Sequence, residues 1–158
     1  MPAFSTQRRV AFSAAEMYAL VADVARYPEF LPMCTGLVVN SRVPAPDGED
    51  LTARMSVGYK SISESFITRV HLRPAAREID ANYLDGPFKR LENRWRFKDQ
   101  PGGGSLVDFH IDYEFKSPML SLLVGRVFDQ AFRKFTEAFE IRAGQVYGAP
   151  SKIVPPSA

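Results

Sequence analysis

Between residues 37 and 116, hydrophobic and polar residues alternate with a period of two, the pattern of β-strands that bury one face. Residues that favour turns, chiefly proline, glycine and aspartate, interrupt the alternation four times. Because the interruptions are short, consecutive strands are expected to pair as antiparallel hairpins. The pattern predicts strands at 37–44, 51–59, 62–73, 77–84, 90–98 and 106–116, and an earlier one at 3–10.

Helical periodicity occurs on both sides of the six consecutive strands. Ser13 precedes a predicted helix over 14–25, and Glu16 completes a capping box with it. A second helix is predicted over 118–143, and at about 1.5 Å per residue it spans roughly 40 Å. Its aromatic face consists of Phe128, Phe132, Phe135 and Phe139.

The order of these elements predicts one α+β domain over residues 1–148. A curved antiparallel sheet of about seven strands would wrap around the long C-terminal helix, with one or two short helices after the first strand. An aromatic helix face laid on a curved sheet can enclose a hollow, and we expect the function to lie there. Residues 149–158 contain three prolines and are expected to be a disordered tail.

Composition and charge exclude several classes of function. The chain has 158 residues and a net charge of +2, so no global field favours DNA or another nucleic acid. One cysteine, Cys34, and two histidines leave no zinc-like cluster, so no metal is predicted. Without an apolar signal core or a membrane-length segment, we expect a cytoplasmic, bacterial protein. Any membrane contact would be peripheral, at the cytoplasmic face of the inner membrane.

The outward strand faces account for most of the charged residues. A basic row on the sixth predicted strand lies beside an acidic row on the seventh, with Arg96 opposite Asp108. His71 and His110 also fall on outward faces, so we interpret them as surface residues. This charge ladder favours a solvated face over an RNA-binding one.

Three polar residues, Glu64, Thr68 and Asn93, fall on inward faces among apolar neighbours. Buried polar groups need hydrogen-bond partners. Each of the three is therefore either satisfied within the protein or available to a ligand. Since binding pockets are typically apolar with a few convergent polar groups, the set indicates a candidate binding site.

Four stretches carry a resemblance to one known family, and the resemblance extends over roughly residues 4–148. They are 20–34, with Tyr27-Pro28-Glu29-Phe30-Leu31-Pro32, then 57–60, then 84–97, with Asp85-Gly86-Pro87-Phe88, and 111–115. In this order they resemble the coenzyme Q-binding, START-like proteins, a family that includes ribosome association toxins. The resemblance implies a helix-grip fold with a lipid-sized cavity. It also implies binding of ubiquinone in support of respiratory electron transport, without catalysis and with no cofactor besides the bound quinone.

A polyprenyl quinone or related lipid is therefore the expected ligand, and the chain is expected to be a carrier rather than an enzyme. An apolar tail gains about 0.8 kcal/mol per buried CH₂ group, so aromatic walls suffice to hold it. Asn93 or Tyr59 could donate a hydrogen bond to the ring. The candidate cavity residues are Phe30, Leu31, Tyr59, Glu64, Phe66, Thr68, Asn93, Trp95, Phe109, Tyr113, Phe128 and Phe132.

The start of the last helix is apolar around most of its circumference, which is more than one buried stripe needs. We predict an exposed docking surface here for transient contact with the inner membrane, through which the lipid enters. Its residues are Met119, Leu120, Leu123, Val124 and Val127.

Two alternative functions stay open. A ribosome-associating toxin, which blocks the joining of ribosomal subunits, would bind RNA phosphates through basic side chains. The candidates for that contact are Arg8, Arg9, Lys60, Lys89, Arg90, Arg133 and Lys134. A cavity enzyme of the cyclase or hydrolase kind would need an acid or base, for which Glu64 is the candidate. Cys34 is read as a small buried residue rather than a nucleophile.

Overall fold

A seven-stranded antiparallel sheet forms the frame of the molecule in the computed structural model, which describes residues 3–148. The spatial order of the strands is β1-β7-β6-β5-β4-β3-β2, so β2 to β7 form a meander and β1 adds to its end beside β7. The strands are β1 (Ala3–Val10), β2 (Cys34–Ala45), β3 (Gly48–Tyr59), β4 (Ile62–Arg73), β5 (Glu78–Asp85), β6 (Phe88–Asp99) and β7 (Ser105–Phe115).

Strict alternation explains why one face of the sheet is the core. In β7 every second side chain from Ser105 to Phe115 is buried, and the intervening ones are partly exposed. Each predicted strand is present with its ends within about three residues, because turn residues fix where pairing stops. The sheet and the C-terminal helices confirm the predicted α+β helix-grip arrangement.

Two short helices follow β1, as expected, but the first ends at Ala22, about three residues before its predicted end. Helix α1 (Ala14–Ala22) begins with the predicted capping box, in which the Ser13 hydroxyl accepts from the Glu16 amide and the Glu16 carboxylate accepts from the Ser13 amide. A 3₁₀ helix (Val24–Glu29) then crosses toward β2. The rigid prolines of this segment direct Tyr27 and Leu31 toward the interior, where both pack against the core.

The prediction of a single long C-terminal helix was wrong in one respect, because the structure divides this helix at Lys134. Helix α2 (Pro118–Arg133) and helix α3 (Phe135–Tyr147) meet where the Lys134 amide donates to the Ala131 carbonyl, a tighter i→i−3 bond at 3.0 Å. The predicted start at Ser117 and Pro118 is confirmed. The predicted stop near Gly144 is four residues early, because α3 continues to a glycine with φ +76°, Gly148.

The outer face of the sheet carries the predicted charge rows, with Arg96 opposite Asp108. The ion pairs formed differ in part from this register. Arg96 reaches sideways to Asp80 on β5 at 2.9 Å. His71 lies outward, as predicted, and contacts Asp50 at 2.7 Å.

Two predictions concern the C-terminal end of the chain. The expected disordered tail, 149–158, lies outside the described residues, and the domain boundary at residue 148 stays a prediction. Within residues 3–148, the helices are too short or too polar to cross a bilayer.

Candidate functional site

An apolar cavity lies between the inward face of the sheet and the helices that cover it. All strands from β2 to β7 contribute to its wall, together with the 3₁₀ helix, α2 and α3. No charged side chain lines it. The volume is about 80 Å³.

Six of the residues predicted from the sequence line this cavity. Strand alternation brings four of them together from β4 and β6, and the two others come from the loop after the 3₁₀ helix and from α2. They are Leu31, Phe66, Thr68, Asn93, Trp95 and Phe132.

Three predicted aromatics belong to the packed core instead. Phe109 contacts Trp95, with ring centroids 4.6 Å apart, and Tyr113 contacts Phe132 at 5.0 Å. Phe128 is buried and lines a second void of only about 20 Å³. Placing these side chains in the main cavity was wrong, because neighbouring rings fill the space in front of them.

The other three predicted residues lie at the margin of the fold. Phe30 is half-buried against Phe139, at 5.1 Å between ring centroids. Tyr59 and Glu64 are half-buried near the turn of the β3–β4 hairpin, beyond the cavity wall. Glu64 therefore does not supply an acid or base to the cavity.

Sequence reasoning missed twelve lining residues. Several lie on the same inward rows as the predicted ones, so alternation alone could have found them. Those from the 3₁₀ helix carry no such periodic signal. The missed residues are Val24, Tyr27, Leu37, Ala53, Met55, Val70, Ile79, Ala81, Leu91, Ile111, Phe135 and Phe139.

The cavity is smaller than the expected lipid-sized space, and in this conformation that expectation was wrong. A void of about 150 Å³ holds one benzene molecule, and ligand pockets usually measure about 300–1,000 Å³. The rings interlock across the space: Trp95 meets Phe139 edge to face at 5.2 Å, and Phe132 meets Phe135 at 5.3 Å. The second void adjoins the cavity, since four side chains line both: Met55, Phe66, Phe132 and Phe135.

Two polar side chains in the cavity wall differ in their hydrogen bonding. Trp95 Nε1 donates to Asn93 Oδ1 at 2.9 Å, and Asn93 Nδ2 donates to the His110 carbonyl at 2.9 Å. Asn93 is therefore held by the protein itself. Thr68 is 8% exposed, and the structure shows no hydrogen bond from its hydroxyl to any residue between 3 and 148. An unpartnered hydroxyl in the cavity wall is available to a ligand.

Burial raises the pKa of two titratable groups near the cavity, the Tyr27 phenol and the Cys34 thiol. The Tyr27 hydroxyl donates to the Val21 carbonyl. The pKa of the Cys34 thiol rises to about 11, although its contact with Gly36 opposes the shift. The site thus offers an uncharged, apolar environment. No group of three or more metal-ligating side chains occurs among the residues described.

The predicted docking surface on α2 is exposed only in part. Met119 is 70% exposed and Leu123 is 60% exposed, whereas Leu120 and Val127 are half-buried. Val124 is 1% exposed and packs into the core, so its inclusion in an exposed surface was wrong. Its position follows the helical period of the core-facing stripe that continues to Phe128.

A curved antiparallel sheet that closes around an apolar cavity with C-terminal helices defines a START-like, helix-grip protein. Within that class, the chain belongs to the family described as polyketide cyclase/dehydrase and lipid transport, whose model matches residues 10–140. This confirms the resemblance inferred from the sequence.

Relatives with different names match nearly the whole chain. The ribosome association toxin RatA of Escherichia coli K12 is 39% identical over 149 residues, covering 94% of this chain and 91% of that protein. The mitochondrial coenzyme Q-binding protein COQ10 homolog B of Xenopus laevis is 32% identical, covering 92% of this chain and 59% of that protein.

Solved structures agree with this assignment. The solution structure of the 18 kDa protein CC1736 from Caulobacter crescentus has a TM-score of 0.77 and 35% identity, and the match covers 94% of this chain and 100% of that one. The Zhui aromatase/cyclase from Streptomyces has a TM-score of 0.73 at 16% identity, covering 91% of this chain and 94% of that one. At that identity the likeness concerns the fold alone.

Proposed function

We propose that this protein binds ubiquinone or a related polyprenyl lipid in the cavity and acts as a non-catalytic carrier in support of respiratory electron transport. The observation that carries the proposal is the uncharged interior cavity, whose wall includes the hydroxyl of Thr68, without a hydrogen-bond partner among the described residues. The family's lipid-transport description and the relative named as a coenzyme Q-binding protein support it.

Binding requires the interior to open, because 80 Å³ does not hold a quinone ring. The partition between the two voids consists of Met55, Phe66, Phe132 and Phe135. Rotation of these side chains joins the voids, and an unbranched methionine adapts to a new shape at little cost. Because the joined voids are still smaller than the roughly 150 Å³ that holds one benzene molecule, the covering helices must also move away from the sheet to admit the ring. The ligand then selects the open arrangement from a minor population.

The test is a titration of the purified full chain with a short-tailed ubiquinone analogue. Trp95 is the single tryptophan and lines the cavity, so quinone binding should quench its fluorescence in a saturable manner. Because the ligand binds the folded state, the thermal unfolding midpoint should rise as well.

A filled cavity should abolish this binding. Ala53 is 3% exposed and lines the cavity, so Ala53→Leu occupies the space that the ligand needs. Ala76→Leu makes the same change at an exposed position in the β4–β5 turn and should bind as wild type. Failure of wild type to bind at micromolar protein, or equal binding by a folded Ala53→Leu, would reject the proposal.

A second function, association with ribosomes, is favoured by the 39% identity to a relative named ribosome association toxin. Four of the seven candidate cations are engaged in ion pairs: Arg8 with Glu140, Lys89 and Arg90 with Glu114, and Arg133 with Asp129. Arg9, Lys60 and Lys134 form none within residues 3–148 and remain candidates for RNA phosphates.

Sucrose gradients of ribosomes with and without the purified protein test this second function. Association predicts a larger fraction of free subunits, which is reversed by added salt and reduced by Lys60→Glu with Lys134→Glu. Arg69→Glu, at an exposed β4 position, serves as the matched control. If the fraction of free ribosomal subunits stayed unchanged at a molar excess of the protein, association with ribosomes would be excluded.

A further inference from the structure

The first two turns of α2 present three exposed apolar side chains on one side. Leu122 is 87% exposed, Met119 is 70% exposed and Leu123 is 60% exposed. Their spacing of three and four residues makes them neighbours on the helix surface. Single exposed apolar residues are common, but a contiguous group at one end of a helix indicates a contact surface.

Basic side chains lie at both ends of this apolar group. Lys116 lies just before the helix begins, and Arg126 lies one turn after Leu122. Both are exposed, and neither forms an ion pair with the rest of the described chain. Together with Ser121, they also line a groove of about 520 Å³ between α2 and the end of β7.

The acidic residues near this groove are already neutralised. Glu114 lies 3.5 Å from Lys89, and Asp129 lies 2.9 Å from Arg133. The first turn of α2 has no acidic residue to balance the positive end of the helix dipole. The surface around the apolar group is therefore positive.

We propose that this end of α2 docks on an anionic membrane surface. Met119, Leu122 and Leu123 enter the boundary between headgroups and acyl chains, while Lys116 and Arg126 contact lipid phosphates. A second copy of the chain would bring the same cations face to face, which opposes a symmetric dimer through this surface. The proposal does not depend on what the cavity binds.

The test is flotation of the full chain with vesicles of phosphatidylcholine, with and without phosphatidylglycerol. Wild type should float with the anionic vesicles and much less with the neutral ones, and added salt should weaken binding. Leu122→Asp should lose flotation at least about tenfold, since it places a charge where the apolar contact forms. Ile141→Asp, at a 57% exposed position on α3, is the matched control and should float as wild type.

The charges are tested separately. Each of Lys116→Glu and Arg126→Glu should weaken binding to anionic vesicles by at least about fivefold, the effect of one basic side chain near such a surface. Lys98→Glu, at an exposed position on β6, should leave binding unchanged. All positions are exposed, so circular dichroism should show folded variants.

Two outcomes would overturn the proposal. One is equal flotation of wild type, Leu122→Asp and Ile141→Asp. The other is self-association, detected by sedimentation of the lipid-free chain, that disappears in Leu122→Asp, because the apolar group would then be a contact between copies of the protein.

Discussion

Thr68 is the side chain at which ligand selectivity should be decided. Thr68 lies in the cavity wall and its hydroxyl has no partner among the described residues, so a ligand carbonyl there gains a hydrogen bond. Thr68→Val should weaken binding of a ubiquinone analogue about fivefold, the effect of one neutral hydrogen bond. A hydrocarbon of the same size without carbonyls should bind both proteins alike, as measured by Trp95 fluorescence.

The matched control is Thr136→Val, which removes the hydroxyl of an α3 residue that is 5% exposed and does not line the cavity. If Thr68→Val weakened the binding of both ligands equally, the cause would be a change in cavity shape and not the loss of the hydrogen bond. If wild type binds neither ligand, the proposed function fails and not merely the role of Thr68.

Asn93 shows where residue-level prediction stops. Alternation placed it on the inward face, which the structure bears out, and left open whether protein or ligand satisfies it. Its partners are Trp95, two residues along the same row, and the backbone carbonyl of His110 on β7. A choice of rotamer and partner of this kind depends on packing in three dimensions, which periodicity does not encode.

At the level of elements, the sequence predicted helix and strand boundaries correctly wherever a specific capping or turn residue marks the boundary. Ser13, Ser117 and the turn residues fixed the helix starts and the strand ends. The break at Lys134 had no such signal, since neither proline nor glycine is there. The sequence did not predict this break because tertiary packing determines its position. Phe132 and Phe135, on the two sides of the break, both face the cavity.

Gly86, between β5 and β6, is an element boundary that is sensitive to substitution. Its φ is +143°, and a Cβ there would lie 2.6 Å from Phe66 Cβ. Gly86→Ala should therefore lower the free energy of unfolding by about 3 kcal/mol, through backbone strain and overpacking together. Urea unfolding monitored by circular dichroism measures the change.

Gly102, in the β6–β7 turn, separates these two causes. Its φ is +85°, but no atom lies within 4 Å of a Cβ built there. Gly102→Ala should cost only about 1 kcal/mol, the strain of the left-handed conformation alone. Equal losses for the two variants would contradict a role for the Phe66 contact.

Across the whole molecule, the inner and outer faces of one sheet have separate tasks. The inner face forms the wall of the apolar cavity, and the outer face connects neighbouring strands through ion pairs between side chains. Asp80 on β5 is the centre of the outer network, since it accepts from Arg73 on β4 at 2.6 Å and from Arg96 on β6 at 2.9 Å. The two-residue period predicted which residues face outward. It did not predict the partner of Arg96, because a long side chain can reach either neighbouring strand.

The Asp80 network predicts how stability depends on pH. Burial alone would raise the pKa of Asp80, but Arg73 and Arg96 outweigh burial and hold that pKa below its usual range. A carboxylate whose pKa is lower in the folded state stabilises the protein above its unfolded value, about 4, and loses that effect as the pH falls through the folded pKa. Asp80→Asn should be less stable than wild type at neutral pH and should lose less stability between about pH 6 and pH 3. Urea unfolding across this range measures both effects. The control is Asp108→Asn. It removes a carboxylate from the same face that forms no ion pair within residues 3–148, so it should keep the wild-type pH dependence. If the stability of Asp80→Asn depended on pH as that of wild type does, the Asp80 ion pairs would not be the cause of the pH dependence.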